Sequence, residues 1–309
     1  MAIELASTDP VYEDMATKLF DHFMYIADAL YGGGKSGLGL WNDEDSFFYD
    51  KLHAPDGRMM PLKVRSLVGL MPLLAIETFP TKQVENLLLQ RMQWFQENRP
   101  YMQRLLTRWQ DTQLQGHFKD FMLLAMVRGT DLQDLLKYML DETEFLSDYG
   151  IRAISKYHEA HPYVLHTKYG DFWVNYQPGE STTGDFGGNS NWRGPIWFPI
   201  NYLLVHALKR YNEFYGNDLL VEYPTGSGTK LTVGQIADEL SRRLTNIFLR
   251  NEQGHRAVFG MNMTFQNDPN WRDHIPFHEY FHGDTGRGVG ASHQTGWTAV
   301  VANLFQQTK

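Results

Sequence analysis

The 309-residue chain contains no cysteine. That absence excludes a disulfide framework, a thiolate zinc site and a cysteine nucleophile, and it is compatible with a reducing compartment. Long apolar runs are missing too. No stretch of about 18 residues reads as a membrane span, so no membrane partner is expected. Positive charge is scarce: 28 Lys and Arg stand against 36 Asp and Glu, for a formal net charge of −8. No segment gathers lysine and arginine into a cluster, which argues against nucleic acid as a partner. The opening "MAIELASTDP" lacks the basic and apolar regions of a signal peptide, so a cytoplasmic location is the expectation. Its Met1, Ile3, Leu5 and Ala6 read as the end of a helix without its beginning, which suggests a chain that starts inside a longer domain.

What is present is a large apolar fraction, 42%, enough for a sizeable core in one domain spanning 1–309. Aromatic residues make up 14%, including 8 Trp. Their flat apolar faces with a polar edge suit sugar rings as well as protein interiors.

Helical periodicity dominates. Asp9-Pro10 forms an N-cap and N1 pair, and Ala16, Leu19, Phe20, Phe23, Ala27 and Leu30 follow at helical spacing until Gly32-Gly33-Gly34. Val64, Leu67, Val68 and Met71 form a second stripe, and Val84, Leu87, Leu88 and Phe95 a third. Asp131 opens a shorter helix, and Pro195 is expected to start a long one striped by Ile196, Ile200, Leu203, Leu204, Ala207 and Leu208. Thr232 and Gln235 spell a capping box, and a last helix is expected near Ser292. Between the helices run long polar, aromatic and Gly-rich loops at 32–60, 145–194, 215–230 and 251–291. Loops of that length in a compact domain are usually functional. Short strands are predicted in "WNDEDSFFYD" and "KYGDFWVNY".

The segment "HIPFHEYFHGDTGRG" carries two protease signatures. His278, Glu279 and His282 spell H-E-x-x-H, which binds zinc when both His lie on one helical face. Pro276 and Gly283 leave room for little more than one turn, and the metzincin extension fails because Thr285 and Gly288 stand where its Gly and third His belong. Asp284-Thr285-Gly286 resembles an aspartic peptidase motif, but such enzymes need two of them. No metal and no cofactor is therefore expected, with a zinc peptidase kept as the lesser alternative. The remaining readings treat Glu279 as a lone carboxylate among Pro276, Phe277, Tyr280 and Phe281, acting either as a general base or as an ion-pair partner of Arg272 or Arg287.

Two further constellations stand out. In "GGNSNWRGPIWFPIN", Trp192, Arg193 and Trp197 fall at a helix N-terminus, suited to stacking on a sugar and donating to its hydroxyls or simply to packing that end. In "GLWNDEDSFFYDKLHAPDGR", Trp41 and the crowded Asp43, Glu44, Asp45 and Asp50 fit either a polyhydroxylated ligand or a solvated turn.

These segments, together with "DPVYEDMATKLFDHF", "PLKVRSLVGLMPLLAIE", "LSDYGIRAISKYH" and "YQPGESTTGDFGGNSNWRGPIWFPINYLL", occur in an order that resembles the C-terminal part of glycoside hydrolase family 63. That family includes processing α-glucosidase I and bacterial mannosylglycerate hydrolases. The resemblance implies an all-α fold, an (α/α)6 toroid incomplete at its N-terminus, and an inverting α-glycosidase acting on an oligosaccharide or small glycoside. It implies Glu279 as the general base flanked by His278 and Tyr280, with Trp41, Trp192, Arg193 and Trp197 lining the sugar pocket; Asp45, from the crowded acidic segment, is a further candidate for binding substrate. The family's proton donor, an Asp in a Gly-x-Asp-Asn-type segment, has no counterpart in this chain; Asp45 and Asp185 have no family support as substitutes. A non-catalytic sugar-binding fragment is thus the alternative. A partial toroid would leave apolar helix faces uncovered, so self-association is expected.

Overall fold

The computed structural model describes residues 1–32, 39–102, 105, 121–184 and 194–307, without the side chains of 83–89 and 307. Among the described residues, five helices of eleven residues or more provide the frame: Glu13–Tyr31, Thr81–Asn98, Gly129–Met139, Phe198–Tyr215 and Val233–Asn246. Their ends follow local chemistry. The Asp9 carboxylate accepts from the Val11 amide at 3.0 Å ahead of a 3-10 turn at Pro10–Tyr12, and Gly32 closes the first long helix with φ 79°. Thr232 and Gln235 complete a reciprocal capping box.

The expectation of an all-α (α/α)6 toroid is not what the chain forms. Among the described residues, fourteen strands pair into seven two-stranded antiparallel sheets interspersed with the helices. Five of these sheets are tight hairpins inside the long loops or flanking them: 41–42 with 47–48, 50–53 with 59–62, 146–147 with 150–151, 163–167 with 170–174, and 280–281 with 288–289. A sixth, 220–222 with 230–232, leads into the capping box. Strands of two to five residues are too short for a period-two pattern to show against neighbouring helical stripes. The seventh joins 76–80 to 121–125, residues far apart in sequence whose pairing no local signal announces.

Two helical stripes also resolve differently. Leu67–Leu74 is a 3-10 helix with Pro72 inside it, because proline removes a donor and crowds the preceding turn. The helix expected from Pro195 begins at Phe198 instead, leaving Ile196 extended and Trp197 as its N-cap. Leu19, expected to face inward, is 52% exposed, while Ala16, Phe20, Met24 and Ala27 bury the facing stripe.

The main core runs from Phe20 and Met24 through Leu132, Leu136, Phe198, Leu204 and Tyr211 to Leu240, Leu244 and Leu304. Burying each such side chain contributes roughly 1.5–3 kcal/mol relative to exposure. A second small cluster, Ala153, Trp197, Tyr280 and Val289, lies where the 280–289 hairpin meets the start of the Phe198–Tyr215 helix.

Candidate functional site

The Glu279 segment is not helical. Tyr280 and Phe281 form a strand paired with Gly288 and Val289, and the backbone continues across Phe281 to Ile196 and from Ile196 to Arg152. The Ile196 amide donates to the Phe281 carbonyl at 2.7 Å and the Phe281 amide returns the bond at 3.0 Å. Ala153 N–H donates to the Pro195 carbonyl at 3.0 Å, so residues 152–153, 195–196 and 280–281 form one ladder. The buried Asn201 side chain adds a brace, accepting from Ile151 N–H at 2.6 Å and donating to the Ile151 and Trp197 carbonyls at 3.0 Å each. That asparagine inside an otherwise apolar helical stripe was a readable signal that the sequence reading missed.

Glu279 sits at the edge of this ladder, its amide donating to the Ala291 carbonyl at 2.8 Å. Among the described residues its half-buried carboxylate receives a single long hydrogen bond, from Ala291 N–H at 3.5 Å. The ion pairs considered from sequence do not form: Arg272 lies 3.6 Å from Asp273, and no carboxylate of the described residues is within reach of Arg287. Gly290 makes room for the carboxylate. Its φ is +69°, and a Cβ there would lie 2.8 Å from Glu279 Oε2.

The Tyr280 ring stands near the carboxylate, since the same Cβ on Gly290 would lie 2.7 Å from Tyr280 Cε1. Trp197 stacks on Tyr280 with centroids 5.1 Å apart and planes at 26°, and Trp297 meets Trp197 edge-on at 6.2 Å. Trp197 and Tyr280 are 6% and 2% exposed, so packing accounts for most of their ring surface.

The two imidazoles of the H-E-x-x-H pattern have separate surroundings. Thr298 Oγ1 donates to the His278 carbonyl at 2.5 Å, and burial pushes the His278 imidazole pKa down. His282 Nδ1 accepts from Asp284 N–H at 3.2 Å, which fixes its neutral tautomer, and burial lowers its pKa as well. A strand at 280–281 lies between them in place of a helical turn, and no group of three potential metal ligands occurs among the described residues. The geometric basis of the zinc reading is therefore absent.

Asp284-Thr285-Gly286 forms the hairpin's turn, with the Asp284 carboxylate used as an anchor. It lies 3.2 Å from Arg152 Nη2 and 3.7 Å from Lys156 Nζ, and it accepts from the Tyr176 hydroxyl at 2.9 Å. Arg152 Nε donates to that same hydroxyl at 3.0 Å. Burial pushes the Tyr176 hydroxyl well above the ordinary tyrosine range, so it stays a proton donor.

Trp41 and Asp45 occupy the 41–48 hairpin. Trp41 packs against Tyr31 and Phe48 and donates to Asp43 at 3.0 Å, and Asp45 forms an ion pair with Lys63 at 2.9 Å. None of the hydrogen bonds, ion pairs or ring contacts of Glu279 reaches either residue. Trp192, Arg193 and Asp185 lie outside the described residues. The structure thus brings Glu279, His278, Tyr280 and Trp197 together and leaves Trp41 and Asp45 on a separate hairpin.

Comparison with known proteins matches the resemblance read from the motifs. Residues 98–225 match the family model described as glycosyl hydrolase family 63 C-terminal domain, a segment that holds Trp192, Arg193 and Trp197 and ends before Glu279. The chain is 44% identical over 317 residues to the uncharacterized protein YMR196W of Saccharomyces cerevisiae, an alignment covering 98% of this chain and 29% of that protein. It is 27% identical over 232 residues, 72% of this chain and 22% of the relative, to a probable mannosyl-oligosaccharide glucosidase of Schizosaccharomyces pombe. Identity to the mannosyl-oligosaccharide glucosidase of Saccharomyces cerevisiae is 26% over 175 residues, 56% of this chain and 15% of the relative. The alignments thus cover less than a third of these relatives' lengths. No described helix is long and apolar enough to cross a membrane.

Proposed function

On the premise that residues 98–225 carry sequence of the glycosyl hydrolase family 63 C-terminal domain, we propose that this chain forms part of a glycoside hydrolase acting on α-linked glucosides or oligosaccharides. Glu279 is its general base. The observation that carries this reading is the state of the Glu279 carboxylate, half-buried near the Tyr280 ring that stacks on Trp197, with no ion pair and one long hydrogen bond among the described residues. Such a carboxylate keeps lone pairs available to take a proton from water. An inverting mechanism requires a partner acid roughly 6.5–9.5 Å away, leaving space for that water. In this reading Tyr280 and Trp197 shape the wall of the sugar site, His278 flanks the base, and Trp192 and Arg193 contribute from the 187–201 segment.

The test is turnover of aryl α-glucosides and α-linked oligosaccharides by the wild type and by Glu279→Gln, with folding checked by circular dichroism. Loss of a general base lowers kcat by about 10²–10⁴-fold while sugar binding persists. An active Glu279→Gln variant overturns the assignment.

The coverage of less than a third of each relative favours a second reading, in which this chain binds sugar without turning it over. Oligosaccharide binding by the wild type with no hydrolysis would select it.

A further inference from the structure

A cleft of about 830 Å³ opens beside the turn of the 280–289 hairpin, with Tyr149, Arg243, Asn246, Arg256 and Arg287 in its wall. Through Met261 and Arg287 it adjoins a second cavity of about 460 Å³ lined by Phe259, Phe265 and Pro276. Glu279 lines neither.

The arginines of this wall differ in one respect. Arg242 donates to Glu239 at 2.6 Å, Arg250 pairs with Asp273 at 2.9 Å, and Arg256 reaches the same Asp273 at 3.6 Å. Arg243 donates to the Ser147 carbonyl at 2.7 Å and lies 3.5 Å from the exposed Asp148 and 3.8 Å from Glu142. The Arg287 side chain has no hydrogen bond or ion pair among the described residues.

Arg287 is nevertheless held in place. Gly260 has φ +53°, and a Cβ there would fall 2.5 Å from Arg287 Cδ. The stem of the arginine therefore lies on bare backbone, and its five donors sit between the two cavities with no acceptor among the described residues. Asp273 is shared by Arg250, Arg256 and Arg272, and when the wall's Arg242, Arg243, Arg287, Asp148 and Glu252 are counted with the partners Glu239 and Glu142, one positive charge is left over. That surplus arises in a chain whose formal net charge is −8.

We propose that this cleft binds a phosphorylated saccharide, Arg287 gripping the phosphate while Asn246 and Tyr149 meet the hydroxyls and ring face of the sugar. A guanidinium fork matches phosphate oxygens two at a time, and Arg287 is the arginine of the wall whose fork no described carboxylate occupies. The cleft is of the size that encloses small ligands. The site is independent of the role of Glu279, since binding and turnover are read separately.

Isothermal titration at low salt with glucose 6-phosphate, mannose 6-phosphate, glucuronate, glucose and inorganic phosphate tests it. One of the two sugar phosphates binds the wild type at least about tenfold more tightly than glucose, glucuronate or phosphate alone. Arg287→Ala weakens that binding about tenfold or more, the usual effect of losing a hydrogen bond to a charged group. Because the Arg287 side chain is exposed and has no hydrogen bond or ion pair among the described residues, the variant keeps its wild-type unfolding midpoint. Asn246→Ala weakens sugar phosphate but leaves inorganic phosphate unchanged. Failure of both sugar phosphates to bind overturns the proposal. So does equal affinity for inorganic phosphate or glucuronate, or an Arg287→Ala variant that binds like the wild type.

Discussion

Arg152 and Asp284 form an ion pair at 3.2 Å that ties the turn of the Glu279 hairpin to the backbone ladder beneath it. Arg152 is 5% exposed and also donates to the Glu142 and Leu146 carbonyls and to Tyr176, whereas the Asp284 side chain is 32% exposed. Removing the arginine takes a donor from the buried Leu146 carbonyl and from the Tyr176 hydroxyl, which keeps its own bond to Asp284, and strips the Asp284 carboxylate of its buried cation. Arg152→Leu is expected to cost about 3–5 kcal/mol in urea unfolding, and Asp284→Asn, screened by solvent, about 1 kcal/mol. Equal losses would show that the pair does not carry the anchor.

Gly290→Ala is the sharpest probe of how Glu279 is held. The new methyl would stand at φ +69° and 2.8 Å from the carboxylate oxygen, so strain of roughly 1–2 kcal/mol appears in stability. Hydrolysis of an aryl α-glucoside should fall by more than tenfold, beyond what partial unfolding explains. A variant that loses stability and keeps its rate would separate Gly290 from the base.

Acidification should destabilise the fold through buried histidines. His158, 2% exposed, accepts from Arg65 N–H through Nε2 at 2.9 Å while Nδ1 faces the His161 carbonyl at 2.9 Å, an arrangement that requires the neutral ring. Burial lowers its pKa and those of His206, His278 and His282. A folded pKa below the unfolded value of about 6.5 gives stability that is complete above that pH and is lost as pH falls through the folded pKa. Urea midpoints at pH 8, 6.5 and 5 should decline in that order over the lower interval, with a shallower decline in His158→Gln.

Asp28 has the opposite sign. The residue is 4% exposed, its Oδ1 has no hydrogen-bond partner among the described residues, and burial raises its pKa. Folding is then favoured below the unfolded pKa of about 3.9 and loses that contribution as pH rises through the folded value. Asp28→Asn should unfold at a higher urea concentration than the wild type at pH 7, with the difference shrinking toward pH 4. A destabilised variant at pH 7 would mean that the ionised carboxylate has a use.

Much of the frame was legible because its signals are local. Asp9-Pro10, Gly32 and the Thr232 to Gln235 box mark helix ends through bonds spanning two or three residues. The hairpins at 41–48 and 163–174 were half-read from aromatic strands flanking turn residues. The 76–80 to 121–125 pairing and the extended Ile196 depend on partners far along the chain, and no propensity of their own residues reveals them. The site divides in the same way. Glu279 and its aromatic neighbours share one short segment, whereas Arg152, Tyr176 and Asn201 act on it from elsewhere and carry no motif.

The two bonds between Ile196 and Phe281 have a dynamic consequence. The extended Ile196 that leads into Trp197 and the strand following Glu279 are one mechanical body, so the carboxylate and the aromatic wall open together or stay closed together. Their amides should exchange with solvent at one common rate, and a sugar bound between them would slow both by the same factor.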